Sequence, residues 1–344
     1  MEIGRNVSLA NYSTMRLGGI ADYLVAVRSR AELKETYTWA RQQGLHVIMI
    51  GCGSNIVWKD EGFKGLVMVN RITGYDEYVE DARSHYVTIG AGEPWDSVVA
   101  RSVAGGLSGI EALSLIPGTA GATPIQNVGA YGQEIAQTLT TVEAYDTTTG
   151  ELTNIPTEAC GFGYRKSNFQ TEYRGRFFIT AITLHLNASN PTPPYYGAVE
   201  QYLQQQGIRG TVTPQIIRDA VIAIRSAKLP DPSKVANSGS FFANPIISED
   251  QLTQLRSDFP DMPYWPVDGG GAKIPAAWLI EQAGFKDYHD AETGMATWAT
   301  QPLVLVNEKA TSTADLLSFR DKIITTVAQK FDITLRQEPE LLPQ

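Results

Sequence analysis

A bare stretch of backbone near the middle of the chain limits what the molecule can fold into. From Ile116 to Gly132 it reads I-P-G-T-A-G-A-T-P-I-Q-N-V-G-A-Y-G, with four glycines and almost no bulky side chain before Ile125. Such a segment packs poorly against itself, and a loop this long needs a reason. Close approach of backbone to an extended, flat or phosphorylated ligand is one. A flexible linker is the other, although a linker would be Ser/Gly-rich and would lack the Pro124-Ile125-Gln126-Asn127 punctuation.

Four more clusters can carry chemistry. Gly51-Cys52-Gly53-Ser54-Asn55 follows the apolar run Leu45 to Ile50, which suits a buried strand. Glycines there let several N–H groups approach a phosphate. The segment departs from the dinucleotide fingerprint, since Ile56 stands where the third glycine is needed, and it lacks the Gly-Lys-Ser/Thr of a Walker A loop. A plain tight turn therefore remains an alternative. Gly161-Phe162-Gly163-Tyr164-Arg165 offers a guanidinium fork for a carboxylate or phosphate, or a surface turn with a solvated Arg. In Asn237-Ser238-Gly239-Ser240-Phe241-Phe242-Ala243-Asn244-Pro245, Ser240 lacks the G-x-S-x-G elbow of a nucleophile. It can act as a proton donor or as a buried turn residue. Glu338 and Glu340 flank Pro339 in the tail, where carboxylates are usually solvated.

Composition removes several classes. The chain has 344 residues, 43% hydrophobic and 19% charged, with a net charge of −9, which suits a folded protein of two or three domains and argues against nucleic-acid binding. Cys52 and Cys160 have no CxxC spacing, and His46, His85, His185 and His289 form no ligand pair, so no metal site is expected. The first residues lack an apolar signal core, and no run of about 18 apolar residues exists. A cytoplasmic protein without membrane insertion is the expectation.

The element pattern is α+β. Ser29 and Glu32 form a capping box for a helix to about Gln43. Tyr86–Ile89, Thr141–Tyr145, Phe177–Leu186, Pro302–Asn307 and Phe331–Leu335 read as strands, and Asp96 as a helix cap. His185 alternates with Leu184 and Leu186, which places it on a polar face. Helices are expected from Pro214 to Lys228, Pro275 to Ala283 and Ala314 to Lys330. Breaks near Arg71 and at Leu229-Pro230-Asp231-Pro232 divide the chain into 1–70, 71–229 and 230–330, with 331–344 as a returning tail.

In their joint order, S-T-M-R-L-G-G-I-A-D from Ser13, G-C-G-S-N, P-I-Q-N-V-G-A-Y-G, G-F-G-Y-R, G-S-F-F-A-N-P and L-R-Q-E resemble the UDP-N-acetylenolpyruvoylglucosamine reductase (MurB) family, from about residue 10 to about residue 340. The resemblance implies a two-part FAD-binding domain of the flavin-linked oxidase (PCMH) type, at 1–70 and 71–229, with a C-terminal α+β substrate-binding domain. It implies non-covalent FAD, NADPH as reductant, and a UDP-sugar whose enolpyruvyl group is reduced. Flavin contacts would fall on Gly51, Gly53, Ser54, Asn55 and Ile56, then on Ile116, Pro117 and Gly118, and on Ala122, Thr123, Gln126 and Gly129. Tyr164, Tyr196, Lys228 and Asn244 match substrate-binding positions, Tyr196 through the tyrosine loop of the longer subtype. Arg165 and Glu338 would stabilise the developing enolate, and Ser240 would donate the proton. The tail departs from the family's L-x-x-E-V-R. Spacing from Phe331 and Leu335 favours Glu338, with Glu340 as the alternative. The enzyme is expected to be a monomer.

Overall fold

The computed structural model describes residues 2–267 and 269–343. Contacts divide the chain into two compact units. The first is Met1–Val7, Ala21–Cys52 and Phe63–Ala227, and the second is Ser8–Ile20, Gly53–Gly62 and Lys228–Gln344.

The first unit holds two sheets. One is ordered Gly4–Ser8, Ile20–Val27, Phe63–Asn70, His46–Ile50, and Phe63–Asn70 runs parallel to the strands on both sides of it. Parallel neighbours need a crossover, and the helix Arg30–Gln42 supplies it. Ser29 accepts the Glu32 N–H at 3.1 Å, but the Glu32 carboxylate reaches the Arg28 N–H at 2.6 Å instead of that of Ser29. The expected capping box is thus displaced by one residue on its return arm.

The other sheet is antiparallel, in the order Glu151–Pro156, Leu139–Asp146, Phe177–Asn187, Ser84–Gly90, Tyr75–Val79. Ile182, Leu184 and Leu186 are fully buried, as the period of two demands. His185 lies on the opposite face, stacked on Tyr86 with ring centroids 4.8 Å apart. The two sheets share a core. Tyr37 meets Tyr145 and Phe178 edge-on at 5.5 and 5.6 Å, and the Asn70 amide donates to the Ile179 carbonyl at 2.8 Å.

At the start of the helix Trp95–Ala104, residues 91–95 act as a template for the Gly-rich loop. Trp95 N–H donates to the Gly118 carbonyl at 3.0 Å, and its indole N–H donates to the Leu113 carbonyl at 3.0 Å. Ala120 and Gly121 donate to the Glu93 and Ala91 carbonyls, each at 2.9 Å. The segment is therefore a fixed part of the fold and not a linker. Asp96 does not cap its helix. Its carboxylate turns to Leu115 and Arg218, because that position is occupied by Pro94 and long-range partners outcompete the local one.

In the second unit an antiparallel sheet runs Ala236–Ser240, Gln301–Asn307, Met295–Trp298, His289–Asp290. The helix Thr313–Phe331 lays Leu316, Phe319, Ile323 and Val327, all fully buried, into a core with Leu279 and Leu305. Its N-terminus is closed twice. Ser312 accepts the Asp315 N–H at 3.1 Å, and the Asp60 carboxylate accepts Thr313 and Ala314 N–H at 2.7 and 2.9 Å, where the helix dipole favours negative charge.

The strand expected at Phe331–Leu335 does not form. Phe331 still belongs to the helix, which Asp332 ends at φ 54. Ile333 and Leu335 are buried and alternate with exposed Asp332, Thr334 and Arg336, so the apolar pattern serves core packing without strand pairing. The tail strand is Glu340–Leu342, parallel to Ile56–Trp58. Among the described residues no helix is long and apolar enough to cross a membrane.

Candidate active site

In the first unit three hydrogen bonds draw the Gly-rich loop and the Gly161–Arg165 cluster together. Arg165 Nη2 donates to the Gly129 carbonyl at 2.7 Å, Asn127 Nδ2 to the Gly163 carbonyl at 3.1 Å, and the Ser167 hydroxyl to the Ile125 carbonyl at 2.6 Å. Asn127 is almost wholly buried and also donates to Glu134 at 2.7 Å. Its place in the motif is that of a staple. Arg165 sits at φ 51 with its guanidinium 5.3 Å from the Tyr164 ring centre, so the backbone turn aims the fork and the aromatic ring supports it. Thr123 is buried with its hydroxyl on the Ala120 carbonyl at 2.7 Å, and Ala122 N–H donates to the Thr119 carbonyl at 2.9 Å.

Gly51 lies against the same loop. A Cβ there would stand 2.4 Å from Thr119 Oγ1. Ile116 packs on the core below while Pro117 is exposed, so the loop turns one side outward. Tyr196 is 46% exposed and meets Tyr131 edge-on at 5.5 Å. Burial pushes the Tyr131 hydroxyl up, against the opposing charge of Arg225.

In the second unit the Gly53–Ile56 turn is braced by the segment that begins the chain's first motif. Thr14 N–H donates to the Gly53 carbonyl at 3.0 Å, and the Ser13 hydroxyl donates to the Ile56 carbonyl at 2.9 Å. Gly53 has φ +77, and a Cβ would stand 2.1 Å from the Tyr12 carbonyl oxygen, so only glycine fits. On its other side the turn is held by the tail, for Glu340 N–H donates to the Asn55 carbonyl at 2.9 Å.

Ser240 ends a strand whose register shifts between Asn237 and Ser240. The extra residue, with Gly239 at φ +70 and its N–H on Asn237 Oδ1 at 2.8 Å, re-aims the serine. Phe241 and Phe242 are buried behind it. The tail runs alongside, with Ala243 N–H on the Arg336 carbonyl and Glu338 N–H on the Phe241 carbonyl, both at 2.9 Å. Asn244 Oδ1 accepts the Ala276 N–H at 2.9 Å, which fixes its side chain at the start of the helix Ala276–Gln282. Lys228 is exposed at the end of the helix Pro214–Lys228, and its carbonyl accepts the Thr300 hydroxyl at 2.8 Å.

Arg165, Gly129 and Gly51 thus belong to one unit, and Ser240, Asn244, Glu338 and Gly53 to the other. Sequence reasoning passed over Tyr131 as a neighbour of Tyr196, and over Arg218 and Arg225. The two arginines lie seven residues apart on one helix, two turns on the same face. That spacing beside the Tyr-rich loop was the available signal. Among the described residues no group of three His, Cys, Asp or Glu side chains could hold a metal. Burial pushes the Cys160 thiol up to about 11, which leaves it unreactive.

A family model described as an FAD binding domain matches residues 21–155, and one described as the UDP-N-acetylenolpyruvoylglucosamine reductase C-terminal domain matches residues 231–342. The chain is 38% identical over 343 residues to the UDP-N-acetylenolpyruvoylglucosamine reductase of Amoebophilus asiaticus, covering 99% of this chain and 100% of the relative. It is 37% identical to that of Pseudomonas aeruginosa, over 99% of each chain. The crystal structure of UDP-N-acetylenolpyruvylglucosamine reductase (MurB) from Thermus caldophilus has the same fold, with a TM-score of 0.68 and 23% identity over the whole of both chains. With full-length similarity above 30% and both family models in their proper order, the chain belongs to the UDP-N-acetylenolpyruvoylglucosamine reductase family.

Proposed function

We propose that this protein is an FAD-dependent reductase that converts UDP-N-acetylglucosamine enolpyruvate to UDP-N-acetylmuramate, a step in peptidoglycan precursor synthesis, with NADPH as reductant. The reading includes a monomer acting in the cytoplasm. Family membership over the full length supports it. The structural observation that carries it is the tail's return to Ser240: Glu338 N–H bonds the Phe241 carbonyl, one residue from the serine.

The residues present fit a flavin nucleotide. Gly51 and Gly53 let the backbone pack tightly where a Cβ would collide with Thr119 Oγ1 or the Tyr12 carbonyl, and tight glycine turns of this kind can present main-chain N–H groups to phosphate. Gly51, Gly53, Ser54, Asn55 and Ile56 would hold one part of FAD, and Ile116–Gly118, Ala122, Thr123, Gln126 and Gly129 the rest. Bound FAD supplies the hydride that no side chain can.

The chain's own residues do the rest. Hydride arrival at the terminal carbon of the enol ether leaves an electron pair on the carbon bearing the carboxylate. Arg165, held through Nη2 on the Gly129 carbonyl, would bring its positive charge to that carboxylate as it becomes an enolate. Glu338 supports the same charge as a protonated acid or through Arg or water. Ser240 gives its proton to the carbon, completing a net addition of hydride and proton across the double bond. Tyr164, Tyr196, Lys228 and Asn244 would bind the nucleotide sugar.

The test is NADPH oxidation with and without UDP-N-acetylglucosamine enolpyruvate. Acceleration by the enolpyruvyl sugar is expected. Turnover dependent on oxygen alone would make the protein an oxidase.

A further inference from the structure

The flavin-facing loop is entered through a strained residue. Leu115 has φ 58, a left-handed backbone that a branched side chain rarely adopts, and it is 38% exposed, so core packing does not force it there. Its N–H donates to Asp96 Oδ1 at 2.6 Å. The same carboxylate takes both prongs of Arg218, Nη1 to Oδ1 at 2.7 Å and Nη2 to Oδ2 at 2.9 Å. Arg218 Nη1 also donates to the Ser114 hydroxyl at 2.9 Å, and that hydroxyl donates to the Glu111 carbonyl at 2.6 Å. Ser114 is fully buried and the Arg218 side chain is 11% exposed. Leu115 and the residue before it, Ser114, are thereby both held by one ion pair.

We propose that the Asp96–Arg218 pair is the positioning device of the cofactor site: it holds Leu115 in its left-handed turn and so presents Ile116, Pro117 and Gly118 to the flavin. This rests on the reading that the loop touches FAD. The geometry separates the pair from an ordinary surface bridge. It is two-pronged, it spans 122 residues of sequence, and its third hydrogen bond goes to the strained residue itself. Without the carboxylate, Leu115 relaxes to negative φ and the direction of the three residues after it changes. Asp96 and Arg218 touch neither flavin nor substrate in this account.

The experiment measures FAD release and the visible flavin spectrum of the purified holoenzyme. Asp96→Asn is expected to weaken FAD binding by about tenfold or more and to blur the flavin band. Arg218→Lys keeps the charge and removes the fork, so a smaller loss in the same direction is expected. Adding Leu115→Gly to Asp96→Asn should restore part of the affinity, because glycine takes the left-handed turn unaided. Asp146→Asn is the control. It breaks another two-pronged ion pair, Arg176 Nη2 to Asp146 Oδ2 at 2.7 Å, at the end of the strand Leu139–Asp146 in the five-stranded sheet, and should leave FAD affinity unchanged. Equal losses in Asp96→Asn and Asp146→Asn, or no loss in Asp96→Asn, would overturn the inference. A wild-type protein that takes up no FAD would instead overturn the flavin reading.

Discussion

Glu338 and Phe241 are joined through their main chains: the Glu338 N–H donates to the Phe241 carbonyl at 2.9 Å, and the next residue back along that strand is Ser240. A tail carboxyl and a strand-end hydroxyl are therefore placed by backbone, which side-chain substitution leaves intact. Ser240→Ala should fold normally, accept electrons from NADPH, and lose about 10²- to 10⁴-fold in reduction of the enolpyruvyl sugar. Rapid-mixing absorbance at the flavin band separates the two half-reactions. Loss of both would make the serine structural.

Glu340 is placed otherwise. It pairs with Ile56 in the two-stranded ladder, and its N–H serves the Asn55 carbonyl. Steady-state turnover should fall about 10²-fold or more in Glu338→Gln, as for other groups that stabilise developing charge, and much less in Glu340→Gln. The opposite ranking moves the catalytic role to Glu340.

Gly51 offers a rescue experiment. A methyl group there collides with Thr119 Oγ1 at 2.4 Å, while the other Thr119 atoms lie at 3.6 Å. Gly51→Ala should therefore purify with reduced flavin content. Gly51→Ala with Thr119→Ala should regain it, since the only close atom is gone. If the double variant is as flavin-poor as the single one, the methyl group obstructs the cofactor directly.

Asp146 sets an acid limit on stability. Arg176 first, with Thr148 behind it and burial opposing, holds its carboxyl well below the usual range. A group depressed in the folded state binds its proton more readily when unfolded, so its contribution is complete above the ordinary carboxylate value of about 4 and is lost as pH falls below that. Denaturant midpoints for the wild type should drop steeply through that range. Asp146→Asn should start lower near neutral pH and show a flatter acid slope. Parallel curves would remove Asp146 from the account.

What could be seen in the sequence follows the range of the forces involved. The alternation at Ile182, Leu184 and Leu186 and the helical spacing of Leu316, Phe319, Ile323 and Val327 are local patterns, and both lie in the core. The motifs around Gly51, Ile116, Arg165 and Ser240 stood out by residue type alone. Other features depend on distant partners. Asp96 looks like a helix cap until Arg218, 122 residues on, claims it. Phe331–Leu335 has strand-like alternation, yet the ladder forms at Glu340–Leu342, whose partner strand begins at Ile56. Asn127 read as part of a ligand loop, and its buried side chain holds that loop to Gly163 and Glu134.

The second unit gathers Ser8–Ile20 and Gly53–Gly62 with everything after Ala227. During synthesis Met15, Leu17 and Val57 emerge long before Phe319 and Ile323, the core side chains they cluster with. The first unit can condense early, with two loops waiting for partners some 250 residues away, such as Thr313 for Asp60. Such late closure makes refolding slow for a chain this size. It also means that the Gly53–Ile56 turn gains its brace from the tail, the Glu340 N–H on the Asn55 carbonyl, only after the last third of the polypeptide has arrived.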